Sequence, residues 1–253
     1  MNNREVIRHP DANALAEAVV GRLVDRVVDA QSKRGDAHVV LTGGGIGTAV
    51  LAALMASPAG TAIDWQRIHL WWGDERYLAE GDAERNETGA RDALIDHVAI
   101  PPDRVHAMAG PDRSDSVEAA AAAYATSLIE AGQGDIPEFD VLLLGIGPDA
   151  HVASLFPENS AMLADGPVVA VYNSPKPPPV RVSLSMNTLN RARHTWVLAS
   201  GSSKAEAIRL SCEPNAEPLR VPASGVQGLQ QTLFLVDEAA AAELPDDVGR
   251  AVL

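Results

Sequence analysis

A unit recurs along this chain in which a short apolar run, rich in β-branched residues or leucine, stops abruptly at glycine. Ala37-His38-Val39-Val40-Leu41-Thr42 runs into Gly43-Gly44-Gly45, Ile68-His69-Leu70-Trp71-Trp72 into Gly73, and Val141-Leu142-Leu143-Leu144 into Gly145-Ile146-Gly147. Apolar residues at consecutive rather than alternate positions suit strands buried on both faces, as in a parallel sheet covered by helices. Helical periodicity fills the intervals. In residues 11–30, Leu15, Val19, Leu23 and Val27 recur every four positions, with Val20, Val24 and Val28 widening the stripe. Further helices are predicted over 48–55, 87–96, the alanine-rich 116–131 and 203–211, and further strands over 168–172, 180–184, 195–199 and 232–236. This alternation argues for an α/β fold with a mostly parallel sheet and helices on both faces.

Length alone is compatible with one large α/β domain or two small ones: the chain has 253 residues, 46% of them apolar. The proline-rich stretch 174–179 and the loop 213–222 are flanked at once by apolar segments and read as ordered connections, so a single domain over 1–253 is expected. Asp and Glu total 34 against 20 Lys and Arg, a formal charge of -14, whose field repels nucleic acid and anionic membranes. A small anionic ligand is not excluded, because a few cations beside backbone N–H groups make a positive pocket inside a negative envelope. The single cysteine, Cys212, cannot form an intrachain disulfide, and the first residues lack the basic, apolar, small order of a secretory leader, so a cytoplasmic location is expected. No apolar run approaches the ~20 residues that span a bilayer. The seven histidines show no His-x-x-x-His spacing and there is no cysteine pair, so no metal is expected. Oligomeric state is left open, a monomer being the expectation.

Four segments carry candidate chemistry. Gly43, Gly44 and Gly45 lie between a strand and a helix, where glycine permits positive φ and close backbone approach to an anion. A plain tight turn is the alternative. A dinucleotide fingerprint starting at Gly43 would need glycine at Thr48, and the lysine of a P-loop is missing. In Gly73-Asp74-Glu75-Arg76 a buried strand ends in charge, the position at which open parallel sheets hold ligands; Arg76 would grip an anion there or pair with Asp74 or Glu75 as a solvated turn. His151 follows the strand and glycines of residues 141–147, two residues from Asp149, and its side chain has the pKa range for proton transfer. Pro157 leaves little room for the long helix that a nicotinamide site needs there. Finally Lys176 and Arg181 flank a run of prolines that would hold them at low entropic cost, and Lys204 stands near a helix N-terminus.

Taken in order, these segments resemble the 6-phosphogluconolactonase family. The resemblance covers nearly the whole chain: Leu41 to Gly45, the Gly-Asp-Glu-Arg turn at 73–76, the signature Gly-x-Gly-x-Asp-Gly-His-x-Ala-Ser-Leu-Phe-Pro at 145–157, Ser-Pro-Lys-Pro-Pro…Arg at 174–181, and Gly-x-x-Lys-Ala at 201–205. Two positions depart from the pattern: Ala150 replaces glycine, and Arg85-Asn86 stands where Ser-Asn is frequent. An ordinary, negative φ is expected at Ala150. Glucosamine-6-phosphate deaminase is the nearest relative by fold, but it typically has Asn-Glu-Pro after Ala-Phe, and Ser154-Leu155-Phe156-Pro157 favours the lactonase. Either resemblance implies a three-layer α/β/α, doubly wound, Rossmann-like architecture. The lactonase resemblance implies hydrolysis of a small phosphorylated sugar lactone, 6-phospho-D-glucono-1,5-lactone, with no metal or organic cofactor. His151 would be acid-base and Asp149 its orienter. Gly43, Gly44, Gly45, Asp74, Arg76, Lys176, Arg181 and Lys204 would bind substrate, with Lys176 or Arg181 on the phosphate or the developing oxyanion. A deaminase, or a non-catalytic sugar-phosphate sensor, are the alternatives.

Overall fold

The computed structural model describes residues 4–249. Its elements are β1 (Arg4–His9), α1 (Ala12–Arg34), β2 (Ala37–Leu41), α2 (Gly44–Ala56), β3 (Ile68–Trp72), β4 (Asp74–Arg76), α3 (Asn86–Ala93), α4 (Val117–Ala131), β5 (Val141–Gly145), β6 (Val168–Val171), β7 (Arg181–Leu184), α5 (Met186–Leu189), β8 (His194–Ala199), α6 (Ala205–Ser211) and β9 (Gln231–Asp237). Six strands make an all-parallel sheet in the order β1-β9-β8-β5-β2-β3, with helices on both faces. The chain runs from β2 outward to β3, then returns past β2 to β5 and on to β8 and β9. The order therefore reverses between β2 and β5, where doubly wound sheets leave a crevice at the strand C-termini.

The predicted strands at 168–172 and 180–184 exist, but not in that sheet. They are β6 and β7, which pair antiparallel with each other and with β4 in a separate three-stranded sheet. The switch of sheets falls on Gly73. Its N–H donates to Leu41 O of the large sheet (3.1 Å), and its carbonyl accepts Leu184 N of the small one (2.8 Å).

The helix α1 starts where Asp11 accepts the N–H groups of Asn13 and Ala14 (2.9 Å each), an N-cap worth about 1 kcal/mol. Leu15, Val19, Leu23 and Val27 are buried as the periodicity predicts, each contributing about 1.5–3 kcal/mol by leaving water. Val28 is a correction: it faces solvent, being 36% exposed, because it sits beyond the edge of the buried stripe. The helix α2 begins four residues before the predicted 48, so the glycines form its first turn.

At the opposite, N-terminal ends of β2 and β3, three imidazoles stack. His38 and His69 are register partners with ring centroids 4.6 Å apart, and His106 lies on Trp71 at 3.7 Å. Trp71 Nε1 donates to His38 Nδ1 (3.2 Å) and Arg104 Nη1 to His69 Nε2 (3.1 Å), leaving His69 Nδ1 to donate to His106 Nε2 (2.9 Å). Indole and guanidinium only donate, so each imidazole is fixed in a neutral tautomer. Burial, reinforced by the neighbouring histidines, depresses His38 and His106 to about 4.

A candidate active site at the strand switch point

Both glycine turns that flank the switch point open into one pocket. Thr42 joins them, its hydroxyl accepting Gly145 N–H at 3.0 Å. Gly47 is needed just beyond, since a Cβ there would lie 2.4 Å from Thr42 O. The pocket, about 220 Å³, is lined by Gly43, Gly44, Gly145, Gly147 and His151 from the glycine turns and by Asp74, Arg76, Asn86, Lys176, Arg181 and Lys204. Four cations against one lining carboxylate make it positive within a chain of charge -14. The first turn of α2 adds unpaired N–H groups and the positive end of the helix dipole. Gly44 has φ +78°, open to glycine at no steric cost. Gly45 belongs to an adjoining cleft of about 340 Å³ with Ile46, Ala49 and Leu198.

A tight turn positions the histidine. Gly147 N–H donates to His151 O (2.9 Å) and Ala150 N–H to Gly147 O (3.0 Å). Contrary to expectation, Ala150 has φ +63°. A turn that closes within these few residues requires a left-handed residue at its end, at about 1–2 kcal/mol for a non-glycine. The buried methyl and the bond from Ala223 N–H to Ala150 O (3.0 Å) offset this. His151 Nδ1 lies 2.5 Å from Asp149 Oδ1, and its ring packs on Phe156 with centroids 4.5 Å apart. Burial raises the Asp149 carboxyl, but the hydrogen bond and charge of His151 outweigh it and hold the group below the usual range. In the neutral tautomer that gives Nδ1–H to the carboxylate, the lone pair is on Nε2, and nothing among the described residues hydrogen-bonds to that atom.

The cations differ in how they are tethered. Arg181, buried, spends Nε on Pro178 O (3.2 Å) and Nη2 on Lys176 O (3.1 Å) and Pro177 O (3.2 Å), so it moulds the proline loop. Only Nη1 turns to the pocket, 4.0 Å from Asp74. Arg76 forms no ion pair with Asp74 or Glu75; its Nη1 donates to Glu84 O (2.5 Å) and Asn86 Oδ1 (3.0 Å). Lys176 is exposed. Lys204 is lowered by burial and by the charge of Lys176. Asp74 is buried and accepts the Ser154 hydroxyl at 2.6 Å.

Sequence reasoning missed Thr42 and gave Asn86 no role. Asn86 is the first residue of α3; its Nδ2 donates to Asp74 O (2.8 Å), and a Cβ on Gly43 would lie 1.8 Å from its Oδ1. The signal available was the Ser-Asn frequent at 85–86 in the family pattern, which Asn86 keeps and Arg85 does not.

Fold and site together define a three-layer α/β/α protein with a cation-lined pocket at whose wall stands a histidine–aspartate pair. Comparison with known proteins names the family. Residues 10–235 match the model for glucosamine-6-phosphate isomerases/6-phosphogluconolactonase, and the chain belongs to that family. It is 51% identical to a 6-phosphogluconolactonase of Streptomyces coelicolor over 95% of each chain. Among solved structures it resembles the 6-phosphogluconolactonase of Trypanosoma brucei, with a TM-score of 0.83 at 25% identity, covering 97% of this chain and 100% of that one. A monomeric glucosamine-6-phosphate deaminase shares the fold, with a TM-score of 0.79 at 23% identity over 94% of this chain and 99% of that one.

Proposed function

We propose that this protein hydrolyses 6-phospho-D-glucono-1,5-lactone to 6-phosphogluconate in the oxidative pentose phosphate pathway. The observation that carries the reading is the His151–Asp149 contact at the wall of a pocket lined by four cations; the 51% identity to a protein of that name supports it.

His151 Nε2 takes a proton from water as the oxygen attacks the lactone carbonyl carbon. The resulting tetrahedral adduct collapses by breaking the bond from that carbon to the ring oxygen. The imidazolium returns its proton to this oxygen, which leaves as a hydroxyl. Asp149 holds the tautomer and stabilises the transient imidazolium. The α2 amides at Gly43 to Gly45, with Arg76 and Lys204, hold the phosphate. Lys176 and Nη1 of Arg181 face the carbonyl side, where positive charge stabilises a developing oxyanion. A carboxylate repels phosphate, so Asp74 suits the sugar hydroxyls. The reaction balances with water alone.

The test is purified protein with freshly made lactone, spontaneous hydrolysis subtracted, comparing wild type with His151→Ala. A loss of ~100-fold or more is expected on removing a positioned acid-base group. Equal turnover would overturn the assignment of His151. Ammonia release from glucosamine 6-phosphate would point to the deaminase reaction of the same family instead.

A further inference from the structure

Behind the anion-binding wall lies a buried carboxylate that the mechanism does not use. Glu75, the middle residue of β4, is 2% exposed. Its Oε1 accepts Asn86 N–H (2.7 Å) and Arg76 N–H (2.8 Å), and its Oε2 accepts Glu87 N–H (2.8 Å). Two of these are the first N–H groups of α3, which the residue before it, Arg85, does not cap with its own side chain. A strand residue eleven positions upstream thus does the work of an N-cap.

This cap ends in the pocket. Asn86, seated by Glu75, accepts Arg76 Nη1 at 3.0 Å and lies against Gly43. Glu75 also holds the backbone of Arg76. The backbone N–H of that cation, and one of the two hydrogen bonds of its guanidinium, the other going to Glu84 O, therefore trace back to one carboxylate. Arg85 does not neutralise Glu75 closely: it stands 4.0 Å away and gives its short contacts to Glu87 Oε2 (2.9 Å), Leu78 O (2.9 Å) and Met108 O (2.6 Å).

We propose that Glu75 is a positioning residue for the anion end of the pocket, fixing Arg76 directly and through Asn86, so that substrate affinity rather than the proton-transfer step depends on it. The proposal rests on the lactonase reading for its substrate. Its geometry requires the ionised carboxylate, since three N–H groups point at two oxygens, and protonation puts a donor among donors. Burial raises Glu75 to about 7 against the lowering by its N–H partners and Arg85. The other charged or titratable groups around it are Glu87, Arg76, Asp74, Arg181 and Tyr124.

The experiment is steady-state kinetics of Glu75→Gln with the lactone from pH 6 to 8, alongside calorimetric titration of wild type and variant with inorganic phosphate. The amide of Gln sets an N–H group against one of the three donors. A KM increase of roughly tenfold or more is expected, the equivalent of one charge-assisted hydrogen bond, with kcat within about threefold and phosphate affinity reduced in parallel. In wild type KM falls as pH rises through 7; in the variant this dependence flattens. An unchanged KM and phosphate affinity, or a fall confined to kcat, would overturn the proposal. If Glu75→Gln does not fold, Asn86→Ala breaks the relay while leaving the cap in place, and must show the same split. Should wild type prove inactive on the lactone, the lactonase reading falls, and the phosphate titrations still decide the role of Glu75.

Discussion

Replacing Gly147 with alanine should separate the chemistry of the pocket from its fold. A Cβ on Gly147 would fall 2.0 Å from Nδ1 and 2.2 Å from Cε1 of His151, and 2.3 Å from Oδ1 of Asp149. Non-bonded carbon contacts settle near about 3.5 Å, so the pair has to retreat by roughly 1.5 Å. Misplacement by about 1 Å costs on the order of 100-fold in rate, so kcat is expected to fall by ~100-fold, or ~2.7 kcal/mol of activation free energy. It should not fall below the value for His151→Ala. The fold should hold. Gly147 lies outside the left-handed region, so alanine is unstrained there, and the displaced side chains are 14% and 35% exposed. Lost freedom in the unfolded chain returns about 0.4–1 kcal/mol. Lactone hydrolysis with the spontaneous rate subtracted, beside a thermal melt of the same preparation, makes the measurement. A folded Gly147→Ala protein with kcat within threefold of wild type would refute the reasoning.

Three further outcomes follow from the same structure. Lowering the pH from 6.5 to 4 should reduce the thermal midpoint, because His38 and His106 are held at about 4 when folded and titrate near 6.5 when unfolded; their stabilisation is complete above the higher value and lost through the lower one. In calorimetry across that range His106→Phe should show a shallower slope, and an identical slope would count against the stack. Ala150→Gly relieves about 1 kcal/mol of left-handed strain but gives up a buried methyl worth ~0.8 kcal/mol, so urea unfolding should shift by less than ~1 kcal/mol; a loss above ~2 kcal/mol would contradict the positive φ. Arg181→Lys removes the fork that holds the proline loop and should raise KM by roughly tenfold, an expectation that an unchanged KM would defeat.

The parallel sheet was legible because its central strands are buried on both faces and so carry consecutive apolar residues, Val39 to Leu41, Leu70 to Trp72 and Val141 to Leu144, a pattern that stops sharply near Gly43, Gly73 and Gly145. The edge strand β1 was not: Arg4, Glu5, Arg8 and His9 surround only Val6 and Ile7, and its pairing is with β9, more than two hundred residues away. Nor was β4, whose Asp74 and Glu75 look like a solvated turn but are buried; their partners Ser154, Asn86 and Glu87 lie too far along the chain for a local pattern to reveal them. For the site, residue types and order singled out His151, Asp149 and four cations, and the fold brings them together: the cations and His151 line one pocket and Asp149 contacts His151. Ala150 defeated the reading because its conformation is set by the closure of the turn around it, which a propensity for negative φ cannot report.

Gly73 divides the pocket between two mechanical bodies. The glycine turns and His151 follow β2 and β5 of the large sheet, whereas Arg76 and Arg181 ride on the small one, with Lys176 on the loop that leads into β7. On the proposed mechanism, a change in the length of the loop before β7 would shift Lys176 and alter the grip on the substrate, while the turn that carries His151 stays anchored at the end of β5. On the proposed reading, selection in such an architecture can retune what is held through the loop before β7 while keeping the histidine that would move the proton.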